Sequence, residues 1–130
     1  MASQYQDRGL LEKVALREGG PSNSLEALDE VHTRLDRVVA KYAEKLNDEA
    51  TEIVQDTYLS LFEGVEGELI AQNADLVEDL EIDFNVKLPQ AIAKDVGVDG
   101  VRSVVVAMQE KLATAKQLLQ AAQAKKKDVF

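Results

Sequence analysis

His32 is the single histidine in this 130-residue sequence and the one side chain whose ordinary pKa lies near neutrality, and an acid, Asp29, precedes it by three residues. A carboxylate and an imidazole at that spacing share one face of a helix, as in the carboxylate-bridged metal sites of helical bundles. Such sites draw on a second copy of the pair and on further inward glutamates. A chain with one histidine lacks them, so His32 reads as an ordinary flank or boundary residue. A second oxygen-rich window, Asp79, Glu81, Asp83, Asn85, Lys87 and Gln90, is spaced like the early ligands of a calcium loop. It fails where the loop is most demanding. Phe84 stands at the glycine turn and Gln90 at the closing bidentate glutamate.

Other reactive groups are excluded more directly. With no cysteine there is no disulfide framework, no thiolate nucleophile and no thiolate-held metal. Gly97-Val98-Asp99-Gly100 lacks the spacing and the lysine of a phosphate loop, and reads as a turn. No serine or threonine carries a nucleophile signature with His32, and the carboxylates fall on polar helix faces where nothing apolar brackets them. The expectation is a protein with no catalytic, cofactor or metal site that works by contact.

Charge narrows the partners. There are 24 acidic and 15 basic residues, a net charge of −9, which argues against direct nucleic-acid binding because phosphates require a basic stripe. The sign changes along the chain. Residues 25–63 hold ten acids and four bases, 64–88 hold seven acids and only Lys87, and 89–130 hold seven bases against four acids, with Lys125, Lys126 and Lys127 adjacent. An acidic middle and a basic tail attract within one chain or between neighbours, and steer encounters more than they tighten them. No stretch of about 18 apolar residues is present, so a membrane span is not expected, and the polar start without an apolar signal core reads as a cytoplasmic chain or part of a cytoplasmically assembled particle.

The elements that position these residues are set by periodicity. Residues 1–24 read as an amino-terminal arm and linker: Leu10, Leu11 and Val14 make a short apolar stripe within 7–18, and Gly19-Gly20-Pro21-Ser22-Asn23-Ser24 separates it from the rest of the chain. The arm is too short to hold as an isolated helix and must dock on something. Residues 25–130 read as one helical domain. Leu28, Val31, Leu35, Val39, Tyr42, Leu46, Ala50, Ile53 and Thr57 recur at three- and four-residue steps, predicting one long helix that starts at Asn23 or Ser24 and reaches Phe62. At Gly64 and Gly67 it either bends or gives way to a second helix. The sharpest pattern is Val101, Val105, Met108, Leu112, Ala115, Leu119 and Ala122, a heptad seam with Asp99 as its cap. Its first reading is a face packed inside its own bundle; a seam between subunits is the alternative.

Between the helices, Leu80, Ile82, Phe84, Val86 and Leu88 alternate with Glu81, Asp83, Asn85 and Lys87. Period two predicts a half-buried strand or extended segment over 80–88, whose unpaired edge calls for another chain. The four-residue spacing of Leu80, Phe84 and Leu88 leaves a helical alternative.

The fold class expected is therefore mainly α, a long-helix bundle or coiled-coil-like architecture with a short helical arm and one short β segment at 80–88. The function expected is that of a non-catalytic structural subunit of a larger homo-oligomeric or viral-type assembly, using the seam, the strand and the arm for contact. A soluble adaptor or chaperone that binds a partner protein is the alternative. An acidic mimic of nucleic acid ranks below both, because Arg34, Arg37, Lys41 and Lys45 interrupt the acidic face.

Overall fold

A computed structural model describes residues 23–129, with side chains described to Lys125; the arm residues Leu10, Leu11 and Val14 lie outside the described residues. The helical segments are α1 (Ser24–Ala43), α2 (Asn47–Thr57), α3 (Glu63–Gln72), α4 (Ala74–Ile82), α5 (Leu88–Ala93) and α6 (Val98–Val129). A π-helical turn, Tyr58–Phe62, joins α2 to α3, and a second, Asp83–Lys87, joins α4 to α5. The result is four consecutive rods, 24–43, 47–72, 74–93 and 98–129, running alternately up and down. The first packs on the second and on α6, and the third packs on the second and on α6. This is a four-helix bundle, so the mainly α class holds.

α1 begins where the sequence places it. The Asn23 side chain accepts the Glu26 N–H at 2.9 Å, satisfying one of the donors that every helix start leaves open. The long helix, however, does not run on to Phe62. The chain reverses at 44–46, with Lys45 at φ 68 and Leu46 leading into α2. A left-handed lysine costs about 1–2 kcal/mol, and the burial of α1 against α2 offsets it. Nothing in Glu44-Lys45-Leu46 signals the turn, since it holds neither glycine nor proline. The apolar stripe carried across it because both rods line the same core. Tyr42 and Ala50 are buried, while Leu46 between them is left on the turn, 37% exposed.

Gly64 and Gly67 do not end the second rod, which stays helical through both. A Cβ added at either meets nothing within 4 Å, so both sit on an open face of α3. The break comes instead at Asn73, extended at φ −163, whose side chain accepts the Leu76 N–H at 3.0 Å and caps α4. The last turn, 94–97, uses Asp95 at φ 54 and Gly97 at φ 97. α6 then opens at Val98, with the Gly97 carbonyl accepting the Val101 N–H at 3.0 Å, so Asp99 lies inside the first turn rather than at the cap. An acid there still complements the helix dipole.

The segment 80–88 is helical, which corrects the strand reading. It comprises the end of α4, the second π-helical turn and the start of α5. A π turn is wider than the 3.6-residue α turn, and brings the local period close to four. Leu80, Phe84 and Leu88 then stack on the core side, at 0%, 1% and 0% exposure, while Ile82 and Val86 stand outward at 43% each. Valine, isoleucine and phenylalanine favour strands only weakly, and tertiary packing overrides that preference here. Among the described residues there is no strand.

Candidate interaction surface

Each predicted contact residue of the bundle now has a place. Val101, Val105, Met108, Leu112, Ala115 and Leu119 are all at or below 2% exposure, and Ala122 is half-buried. The heptad seam is the face of α6 turned toward the other three rods. Its small residue, Ala115, meets the core at zero exposure. Leu80, Phe84 and Leu88 belong to the same core. Phe84 lies 5.3 Å from Phe62 and 5.6 Å from Tyr58, ring centroid to centroid, so the two π-helical turns meet through an aromatic cluster.

Ile82 and Val86 remain on the surface. A period of four sorts the residues of 80–88 into four columns, two of them apolar and opposite each other. The polar columns flank the rod. On one side Glu81 faces α3, and the Asn85 amide donates to the Glu81 carbonyl at 2.9 Å. On the other, Lys111 Nζ of α6 lies 2.7 Å from Asp83 Oδ2 and Lys87 Nζ lies 4.0 Å from Asp83 Oδ1. The Asp83 side chain is only 4% exposed, so the Lys111 contact supplies the charge partner that a buried carboxylate requires. The third rod is thus apolar inward through Leu80, Phe84 and Leu88 and apolar outward through Ile82 and Val86. Exposed Glu78, Asp79, Asn85 and Gln90 surround the outward pair with polar groups. Leu59, in the first π-helical turn, is the most exposed large apolar side chain among the described residues, at 63%.

The candidate metal residues are dispersed. Asp29 Oδ1 is held by Lys116 Nζ at 2.8 Å, and exposed His32 faces Asp36 at 3.8 Å. The window from Asp79 to Gln90 winds around the rod with its oxygens pointing to different neighbours. Among the described residues no group of three or more histidines or acids is placed to hold a metal ion.

Two polar clusters carry no local sequence signal. At the lower end, the Tyr42 hydroxyl donates to Asp95 Oδ1 at 2.5 Å and accepts the Gly97 N–H at 3.0 Å, pinning the end of α1 to the turn before α6. The Asp95 hydrogen bond, with burial, raises the Tyr42 pKa. Between the second and third rods, Glu66 accepts the Tyr58 O–H at 3.2 Å and is hydrogen-bonded to Glu81. Burial, then the hydrogen bond and charge of Glu81, push the Glu66 carboxyl up to about 7. Tyr58 is raised as well, first by burial and then by the charge of Glu66.

Among the described residues no helix is long and apolar enough to cross a membrane. Comparison of the chain with family models, with curated proteins and with solved structures gave no match.

Proposed function

We propose that this chain is a non-catalytic structural subunit that associates with further copies of itself through the outward face of its third rod. The observation that carries the reading is the second apolar column, Ile82 and Val86, on a helix whose first column already fills the core. Aliphatic residues scattered singly over a surface are ordinary, but two in register on consecutive turns form the centre of a helix-packing ridge. The ring of Glu78, Asp79, Asn85 and Gln90 fits the polar rim that surrounds such a centre. The heptad seam and Leu80, Phe84 and Leu88 act in this reading from inside: they hold the rod rigid and fix which residues face out.

Light scattering across a range of concentrations tests it. The wild-type mass is expected to rise with concentration, and Ile82→Asp with Val86→Asp is expected to hold the chain monomeric with an unchanged helical circular dichroism spectrum. A wild-type monomer at every concentration overturns homomeric assembly. Because a self-sufficient core also suits an adaptor, that result followed by specific capture of one partner, lost in the Ile82/Val86 variant, would move the function to the adaptor reading.

A further inference from the structure

We propose that the contact between the second and third rods is a proton-operated latch, in which ionisation of Glu66 loosens the joint between the two π-helical turns while α1 and α6 stay packed. The observation that carries this is the charge across each seam of the bundle. Lys116 of α6 pairs with Asp29 of α1 at 2.8 Å, Arg34 of α1 with Asp56 of α2 at 2.9 Å, and Lys111 of α6 with Asp83 of the third rod at 2.7 Å. Lysine or arginine with aspartate is a pair of opposite charge throughout the neutral range. Among the described residues, the seam between the second and third rods is the exception. There Glu66 of α3 meets Glu81 of α4, acid against acid. Residues 63–81, which build the hairpin around Asn73, hold seven acids and no lysine, arginine or histidine to offset them.

The joint has the parts of a hinge. Helices bend at π-helical turns, and two of them, Tyr58–Phe62 and Asp83–Lys87, stand at one level in neighbouring rods. Phe84 lies 5.3 Å from Phe62 and 5.6 Å from Tyr58, so the aromatic cluster forms the inner side of the joint. The outer side is polar. Here the Tyr58 hydroxyl donates to Glu66 at 3.2 Å and lies beside Asn85 of the opposite turn. The titratable groups that face Glu66 are Glu63 on its own helix, Tyr58 in the first π-helical turn and Glu81 on α4, while Asp83 and Lys87 of the third rod pair on the α6 side. Of these contacts the Tyr58 hydrogen bond alone favours a charged Glu66; burial, Glu81 and Glu63 all oppose it. The carboxyl is accordingly raised from 4.5 to about 7, so the latch is fully closed below about pH 4.5 and is released as pH rises through about 7.

Native-state hydrogen exchange on the full-length ¹⁵N-labelled chain tests it, read at about pH 5.5 and about pH 8 over low urea concentrations and corrected for the intrinsic pH dependence of exchange. Amides of 58–62 and 83–87 are expected to open about tenfold more often at the higher pH. Their urea dependence should be shallower than that of amides in 31–39 and 101–112, because a local opening exposes less surface than global unfolding does. Glu66→Gln is expected to remove the pH dependence at the joint. Glu81→Lys gives this seam the opposite charges that the others have, and should slow opening of the joint at pH 8 below the wild-type rate. If the joint amides share the urea slope of α1 and α6 at both pH values, only global unfolding opens them and the latch is overturned. A pH-dependent opening that survives in Glu66→Gln, or a faster opening in Glu81→Lys, overturns it as well.

Discussion

Glu66 offers the most quantitative test of the packing. Its carboxyl is raised from 4.5 to about 7 in the folded chain, by burial and by Glu81. An acid whose folded pKa lies above its unfolded value binds its proton more tightly when folded. Its contribution is therefore fully present below about pH 4.5 and is lost as pH rises through about 7. The difference of about 2.5 units corresponds to about 3 kcal/mol at 1.36 kcal/mol per unit. Glu66 is half-buried, and water screening reduces the figure to about 1–2 kcal/mol. Glutamine at 66 keeps the shape and a hydrogen-bond donor but cannot ionise. Urea unfolding followed by circular dichroism from pH 4.5 to pH 8.5 is therefore expected to give similar midpoints for wild type and Glu66→Gln at the acid end. At the alkaline end the variant should be the more stable, by a midpoint shift of about 1 M for a typical urea slope. The difference between the two chains removes the background from the other carboxylates. Glu81→Gln should flatten the same pH dependence, and Tyr58→Phe, which removes a donor to the ionised form, should move it to higher pH. A wild-type minus variant difference constant across the range, or one growing toward acid, would refute the reasoning.

Three further outcomes are expected from the core and its edges. Gly64→Ala and Gly67→Ala should each stabilise by about 0.5–1 kcal/mol, because both positions are helical and open, and alanine loses less backbone entropy; a loss of thermal stability in either would mean the face is occupied. Thr57 is fully buried and its hydroxyl meets no hydrogen-bond partner among the described residues, so Thr57→Val should be neutral or stabilising by about 1 kcal/mol in urea unfolding, and a clear destabilisation would point to a partner outside them. Leu112→Asp should cost several kcal/mol, on the order of 3–5, by placing a charge at a 2% exposed core position, whereas Gln109→Asp sets a second acid beside Asp36 at the edge and should cost about 1; comparable losses in the two would break the register of α6.

What could be read from the sequence depended on how local the deciding contact was. The α6 seam was legible because one uninterrupted helix carries it, and the 4-3 spacing holds wherever the partners lie. The start of α1 was legible because Asn23 and Glu26 interact within one turn. The hairpin at 44–46 was not, since the apolar stripe of α1 and that of α2 face a common core and continue each other in sequence. The Asn73 break escaped notice because two glycines nearby are louder signals than an asparagine, yet the glycines sit unstrained in a helix while Asn73 makes the cap. Glu66 with Glu81, and Tyr42 with Asp95, were out of reach for a simpler reason. Each joins segments far apart in sequence, and an acid that meets an acid or a phenol only after folding has no spacing to betray it.

The alternation over 80–88 bears most directly on function, because the strand and the helix make different demands on the same five apolar residues. A half-buried strand would turn Leu80, Ile82, Phe84, Val86 and Leu88 to one core, and leave its backbone edge to be completed by another chain. The helix satisfies its own backbone, buries three of the five and turns Ile82 and Val86 to the opposite side. In the proposed reading, association then rests on apolar side chains instead of a hydrogen-bonding edge, and the two cases separate by substitution. Phe84→Asp should unfold the bundle, since it puts a charge among Phe62, Tyr58 and the core. Ile82→Asp and Val86→Asp should leave thermal unfolding of a dilute monomer within about 0.5 kcal/mol of wild type, as exposed positions do, and should act only on association. If Ile82→Asp destabilised the monomer as severely as Phe84→Asp, the two residues would share one buried face and the period would be two after all.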